Sequence, residues 1–136
     1  MSRRTARKQA FQILYGSDVT ESPVADAVGR WREYRGEMER YAREVCFGVE
    51  RARERIDAIL TEVAVGWPLK RMNAVDRTIL RIGLFEMIHT DDVPPDVAIN
   101  EAIELAKGFS SDEAPSFVGG VLRGAEGKLS SGVGRG

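Results

Sequence analysis

The chain has one cysteine, Cys46, and one histidine, His89. A lone cysteine excludes an internal disulfide and fits a reducing cytosol. Forty-three positions separate it from the histidine, on separate helical segments, which is thin material for catalysis or metal binding. Cys46 falls on an apolar stripe, where it reads as a small core residue. His89 has no second ligand at metal-binding spacing, and the Glu-x-x-His pattern of di-metal bundles is missing around Glu101 and Glu104. Gly132-Val-Gly134-Arg-Gly136 resembles a piece of a dinucleotide fingerprint but has no strand or helix around it. No enzyme, cofactor or metal is expected.

Long apolar runs are also lacking. The most hydrophobic stretch, Asn73 to His89, is interrupted by Asp76, Arg77, Arg81 and Glu86, so a membrane span is disfavoured. Ser2-Arg3-Arg4 has the start of a twin-arginine export signal, but Gln9 and Gln12 break the apolar core such a signal needs. A cytoplasmic protein is expected. No alternating apolar run suggests a strand and no internal repeat is visible, so the fold class is all-helical. Net charge is scarce too, with 20 basic and 21 acidic residues among 136. That balance argues against bulk nucleic-acid binding, yet Arg3, Arg4, Arg7 and Lys8 form a basic opening with no acidic residue before Asp18.

What is present is helical periodicity. Ala10, Ile13 and Leu14, flanked by Phe11 and Tyr15, give a first helix from Arg3 to about Ser17, with its cations spread over an arc of roughly 140°. They sit at the end where the helix dipole opposes them, so a ligand or partner should compensate. Ser22 and Pro23 suggest cap and first residue of a second helix. A stripe from Met38 to Val63 predicts one long third helix over 37–64, and Pro68 to Met72 a short turn. The central helix over 73–89 leaves almost no polar face, with Asn73 as cap, and His89 is placed to complement its dipole if protonated. Arg77 and Arg81, one turn apart, repel mildly unless an acidic partner lies over them, and internal pairing of Arg81 with a carboxylate such as Glu104 is the alternative to a binding role. A further helix begins at Pro95 and stops at Lys107-Gly108. Pro115 opens the last one, in which Gly119 and Gly120 point to close approach by a neighbour. A single domain over 1–128 and a disordered tail over 129–136 follow.

Three segments together resemble the NusB family of bacterial transcription antitermination factors. They are Arg3-Arg4-Thr-Ala-Arg7-Lys8-Gln-Ala-Phe-Gln-Ile-Leu-Tyr15, Val75-Asp76-Arg77-Thr-Ile-Leu-Arg81-Ile-Gly-Leu-Phe-Glu86, and Val93-Pro94 with Val97 to Lys107 and Phe117-Val118-x-Gly120-Val-Leu122. The resemblance implies a compact bundle of about seven helices in two small subdomains. It also implies binding of boxA RNA together with the ribosomal protein NusE, with RNA polymerase and other elongation factors engaged indirectly. Arg3, Arg4, Arg7 and Lys8 would meet RNA phosphates. Arg77 and Arg81 fall on neighbouring basic positions of the family, Glu113 on an acidic position tied to boxA affinity, and Phe117 on an aromatic suited to base stacking. Asp76, Tyr15 and Glu104 are assigned to the protein partner. Thr5, Ser116 and Gly119 depart from the family's usual arginine, lysine or arginine, and asparagine. Two alternatives remain: an RNA-placing domain like that of ribosomal-RNA cytosine methyltransferases, and a homodimer with its RNA surface covered.

Overall fold

A computed structural model describes residues 2–130, all helical or connecting. Seven α-helices follow in order: α1 (Arg3–Thr20), α2 (Val24–Arg35), α3 (Arg40–Arg51), α4 (Arg53–Val63), α5 (Ala74–His89), α6 (Pro95–Phe109) and α7 (Ala114–Ser130), with a 3-10 turn at Leu69–Arg71 before α5. Helices α1, α2 and α3 pack on one another, as do α5, α6 and α7; α5 also meets α1, α3 and α4. Among the described residues no helix is long and apolar enough to cross a membrane. Helix α7 runs through Ser130, two residues beyond the expected domain limit. The rest of the expected tail, with its glycine-rich fragment, lies outside the described residues.

The hydrophobic stretch is the central helix. Ile79, Leu80, Ile82 and Leu84 of α5 have no exposed surface, and each contributes about 1.5–3 kcal/mol relative to an exposed side chain. Asn73 caps it as expected, its side chain accepting the Asp76 N–H at 2.8 Å. Two glycines let neighbours come close. A Cβ at Gly48 of α3 would lie 2.3 Å from the Phe85 ring, and one at Gly83 would lie 2.7 Å from Leu122. Gly119 lies against Ile103, whereas Gly120 faces open space, so only the first of that pair serves close approach.

Two other expectations change. The third helix is two, broken at Ala52: both halves pack on α5, but α3 also covers α1 and α2 whereas α4 also covers α7. Ser22 does not cap α2. Glu50 of α3 does, accepting the Val24 N–H at 2.9 Å and placing a negative charge at the positive end of the helix. Cys46 is fully buried, and burial with the nearby Glu50 charge pushes its thiol pKa up to about 12, which keeps it an inert core residue.

Candidate nucleic-acid interface

The start of α1 has cations and no carboxylate in its first turn, and Ser2 caps it by accepting the Thr5 N–H at 3.2 Å. The compensating charges come from α5, α6 and the loop between them. Arg3 reaches Asp92 at 2.6 Å and lies 4.4 Å above the Tyr41 ring. Arg4 forks onto both oxygens of Glu101 at 3.1 and 2.7 Å, a bidentate pair that stays 58% exposed on the arginine side. Hydrogen bonding from Arg3 holds the Asp92 carboxyl below its ordinary range. Hydrogen bonding from Arg4 does the same for Glu101, outweighing the upward pull of burial. Lys8 is exposed and lines a shallow groove between α1 and α6 with Arg4, Glu101, Glu104 and Phe109.

Arg7 behaves differently from its neighbours. It is 5% exposed, and its Nε donates to both oxygens of Glu86 at 2.9 Å while Nη1 reaches Glu101 at 3.3 Å. Glu86 also accepts the Tyr41 hydroxyl. Burial, then the Glu86 hydrogen bond, raises the Tyr41 pKa and keeps that hydroxyl protonated. Assignment of Arg7 to RNA phosphates is therefore revised: a guanidinium 5% exposed and held by two carboxylates inside the fold is a strut rather than a surface group.

The charged residues on α5 are likewise turned inward. Arg77 reaches Asp18 at 2.6 Å and donates to the Leu69 and Met72 carbonyls at 2.9 and 3.0 Å. Arg81, 6% exposed, forks onto Asp57 at 2.9 and 3.0 Å and reaches Asp18 at 3.3 Å. The expected Glu104 partner is corrected to Asp57 and Asp18, because Glu104 lies on the outer side of α6 and pairs with Lys107 at 3.1 Å. Burial raises the Asp18 pKa, but the hydrogen bonds and charges of Arg77 and Arg81 outweigh it and leave a net depression. Asp76 is 8% exposed and accepts from Ser110 at 2.6 Å, joining the start of α5 to the end of α6. As placed here, Arg81 and Asp76 are struts rather than surface contacts. Nor does His89 act as a cation at the end of α5, since burial and then the charges of Arg55 and Arg51 lower its pKa.

Aromatic surface completes the region. Tyr15 stacks on Phe11, and Phe11 on Phe109 at 4.6 Å between centroids, leaving Tyr15 and Phe109 37% and 38% exposed. Half-buried Phe117 meets Trp67 edge-on at 5.5 Å, and Glu113 is exposed just before α7. Arg3, Arg4, Lys8, Tyr15, Glu104 and Glu113 are thus accessible, Arg77 and Phe117 partly so, and Arg7, Arg81 and Asp76 buried. Sequence reading missed Tyr41, Trp67 and Phe109 as surface or linking aromatics. Trp67 and Phe109 follow Gly66 and Gly108 at helix ends, a placement that could have marked them as uncovered.

The comparisons with known proteins agree on one family. A family described as the NusB family matches residues 4–126. The transcription antitermination protein NusB of Rubrobacter xylanophilus is 69% identical over all of this chain and 98% of its own length, and that of Thermobifida fusca 43% over 89% and 86%. Among solved structures, NusB of T. maritima superposes with a TM-score of 0.82 at 28% identity, covering 93% of this chain and 92% of that one. A chain in a crystal structure of antitermination factors NusB and NusE in complex with dsRNA superposes with a TM-score of 0.80 at 26% identity, covering 90% and 94%. With a family match across nearly its whole length, close full-length relatives and the same seven-helix fold, the chain belongs to the NusB family of transcription antitermination proteins.

Proposed function

We propose that the chain binds boxA-type single-stranded RNA together with the ribosomal protein NusE, and through that complex supports antitermination and ribosomal-RNA transcription in the cytoplasm. It acts by binding and not by bond making. The observation that carries this reading is the accessible cationic start of α1. On a protein of net charge −1, Arg3, Arg4 and Lys8 converge at one end, beside exposed aromatics. The structural neighbour solved with NusE and dsRNA supplies NusE and RNA as the class of partners, and the single-stranded form is part of the proposal.

The chemistry is an exchange of anions. A phosphate approaching Arg3 or Arg4 replaces Asp92 or Glu101, and the fork geometry of Arg4 suits either acceptor. Unstacked bases of a single strand can lie on exposed rings such as Phe109 or Trp67, worth roughly 1–3 kcal/mol per base. Tyr15 and Glu104, on the α1 and α6 surfaces, are the partner-facing residues in this reading. Asp76 acts from within by holding Ser110. A protein of net charge −1 binds RNA modestly by itself, and a second protein that enlarges the basic surface raises the affinity.

The test is an anisotropy titration of boxA RNA and a scrambled control, with and without NusE. Preference for boxA that grows with NusE is expected, and equal binding of the two RNAs sinks the proposal. In the Arg4→Gln/Lys8→Gln double variant, the slope of log K against log salt should flatten by about 0.7 for each phosphate that is no longer neutralised. An unchanged slope removes the start of α1 from the site.

A further inference from the structure

A second basic feature lies outside the surface just assigned. On α3, Arg40, Arg43, Phe47 and Arg51 recur at intervals of three and four residues, so they share one face over about 16 Å of helix. That face forms one wall of an open groove, and His89 with the α5–α6 loop forms the other. Arg3 also lines this groove, so it runs on from the cationic start of α1 without a break. Three carboxylates line it as well. Asp92 is already held by Arg3, and Glu44 lies 3.5 Å from Arg40. Arg43 and Arg51 make no ion pair among the described residues, and Arg43 Nε is buried without any hydrogen-bond partner. An unsatisfied buried N–H donor is costly, and any acceptor that reaches it, a phosphate oxygen among them, relieves that cost. Phe47 lies between the arginines, half-buried, and lines the groove with them.

Cations along a groove with an aromatic among them are what a single strand needs, a track for its backbone and a platform for a base. We propose that the groove between α3 and the α5–α6 loop carries the phosphate backbone of the RNA beyond the segment held at the start of α1, with Arg43 and Arg51 as its phosphate ligands. This rests on the RNA-binding role proposed above and extends it to a longer footprint.

The test compares a boxA-length RNA with the same RNA extended, at either end in turn, by about eight uridines, within the range of single-strand site sizes. One extension should bind the wild-type chain roughly three- to ten-fold tighter, with a salt slope steeper by about 0.7 for each further phosphate neutralised. Arg43→Gln and Arg51→Gln should each remove most of that gain and leave the boxA-length RNA unaffected. Arg51 is exposed, so its variant keeps the test valid if the half-buried position 43 tolerates change poorly. A readout without mutation comes from His89, the single histidine, which faces Arg51 and Arg55 and stacks on Phe85 at 5.3 Å. Its ring NMR signals should move with the extended RNA alone, and its depressed pKa should rise as phosphate offsets the arginines. Extensions that add nothing, a gain that survives Arg51→Gln, or an unmoved His89 would each overturn the groove proposal while boxA binding stands. Failure of the boxA-length RNA itself overturns the proposed function first, and this inference with it.

Discussion

The two ends of α1 solve the same electrostatic problem in opposite ways. At its start the helix places cations where its dipole disfavours them, and at its end it places Asp18 where an anion is disfavoured. Both are neutralised from other elements, by Asp92, Glu101 and Glu86 at the start and by Arg77, Arg81 and Arg53 at the end. The difference is solvent. Arg3 and Arg4 are 43% and 58% exposed in their side chains, whereas Asp18 and Arg81 are 10% and 8% exposed. Exposed pairs are worth about 0–1 kcal/mol and trade partners readily, while buried ones cost several kcal/mol to break. One end is built to be opened by a ligand and the other to stay shut. Arg7 shows the boundary between the two regimes within a single helical turn.

Breaking the buried side of that comparison has the largest effect. Glu86→Gln leaves Arg7 short of its main counter-charge and should destabilise the fold by about 3–5 kcal/mol in denaturant unfolding, with an Arg7→Met/Glu86→Leu pair recovering much of the loss. A cost below about 1 kcal/mol would place Arg7 with the exposed arginines after all. Next comes Asp18→Asn, which weakens charge-assisted hydrogen bonds from two arginines and should cost about 1.5–3 kcal/mol. Its pH signature has a definite sign. The folded Asp18 pKa lies below its ordinary value of 3.8, so its contribution is complete above that value and is lost as pH falls through the folded pKa. The variant should therefore show a shallower acid limb, and an unchanged limb would mean that Asp18 is not coupled to folding. Smallest in stability is Asp92→Asn, which should shift the melting temperature hardly at all. It should tighten boxA RNA binding by about two- to five-fold by freeing Arg3, in line with the worth of an exposed pair. Weaker binding would show that Asp92 orients Arg3 for RNA and does not compete with it.

Much of this molecule was legible in the sequence wherever a local rule decided the outcome. The α5 core, the Asn73 cap, the Pro95 start of α6 and the all-helical class follow from periodicity and end signals that act within a few residues. The break at Ala52 was not legible, because an apolar stripe records that a face is buried and not that it is buried against two different neighbours. The cap of α2 was missed for a related reason: the acceptor is Glu50, twenty-six positions away. The same holds for the site. Four basic residues near the start marked where accessible cations gather, but nothing local separates buried Arg7 from exposed Arg4. Their fates depend on Glu86 and Glu101, which tertiary structure alone brings within reach. Family resemblance supplied the proposed partners, and burial separates the accessible candidates from the buried ones.

The close approach at Gly48 sets a limit on how this protein can drift. Any single-base replacement of a glycine codon that yields another amino acid installs at least a Cβ, and here that atom would meet the Phe85 ring at 2.3 Å. Either the Phe85 ring must turn away or helix α3 must move off α5, taking its arginine face with it. At Gly120, where a Cβ meets nothing within 4 Å, the same change fills empty space and favours the helix by about 1 kcal/mol. A saturation library selected for folding should return glycine almost alone at position 48 and a broad, alanine-rich spectrum at position 120. Two glycines that look alike in the sequence are thus under opposite selection, one fixed by its neighbour and the other free to be improved.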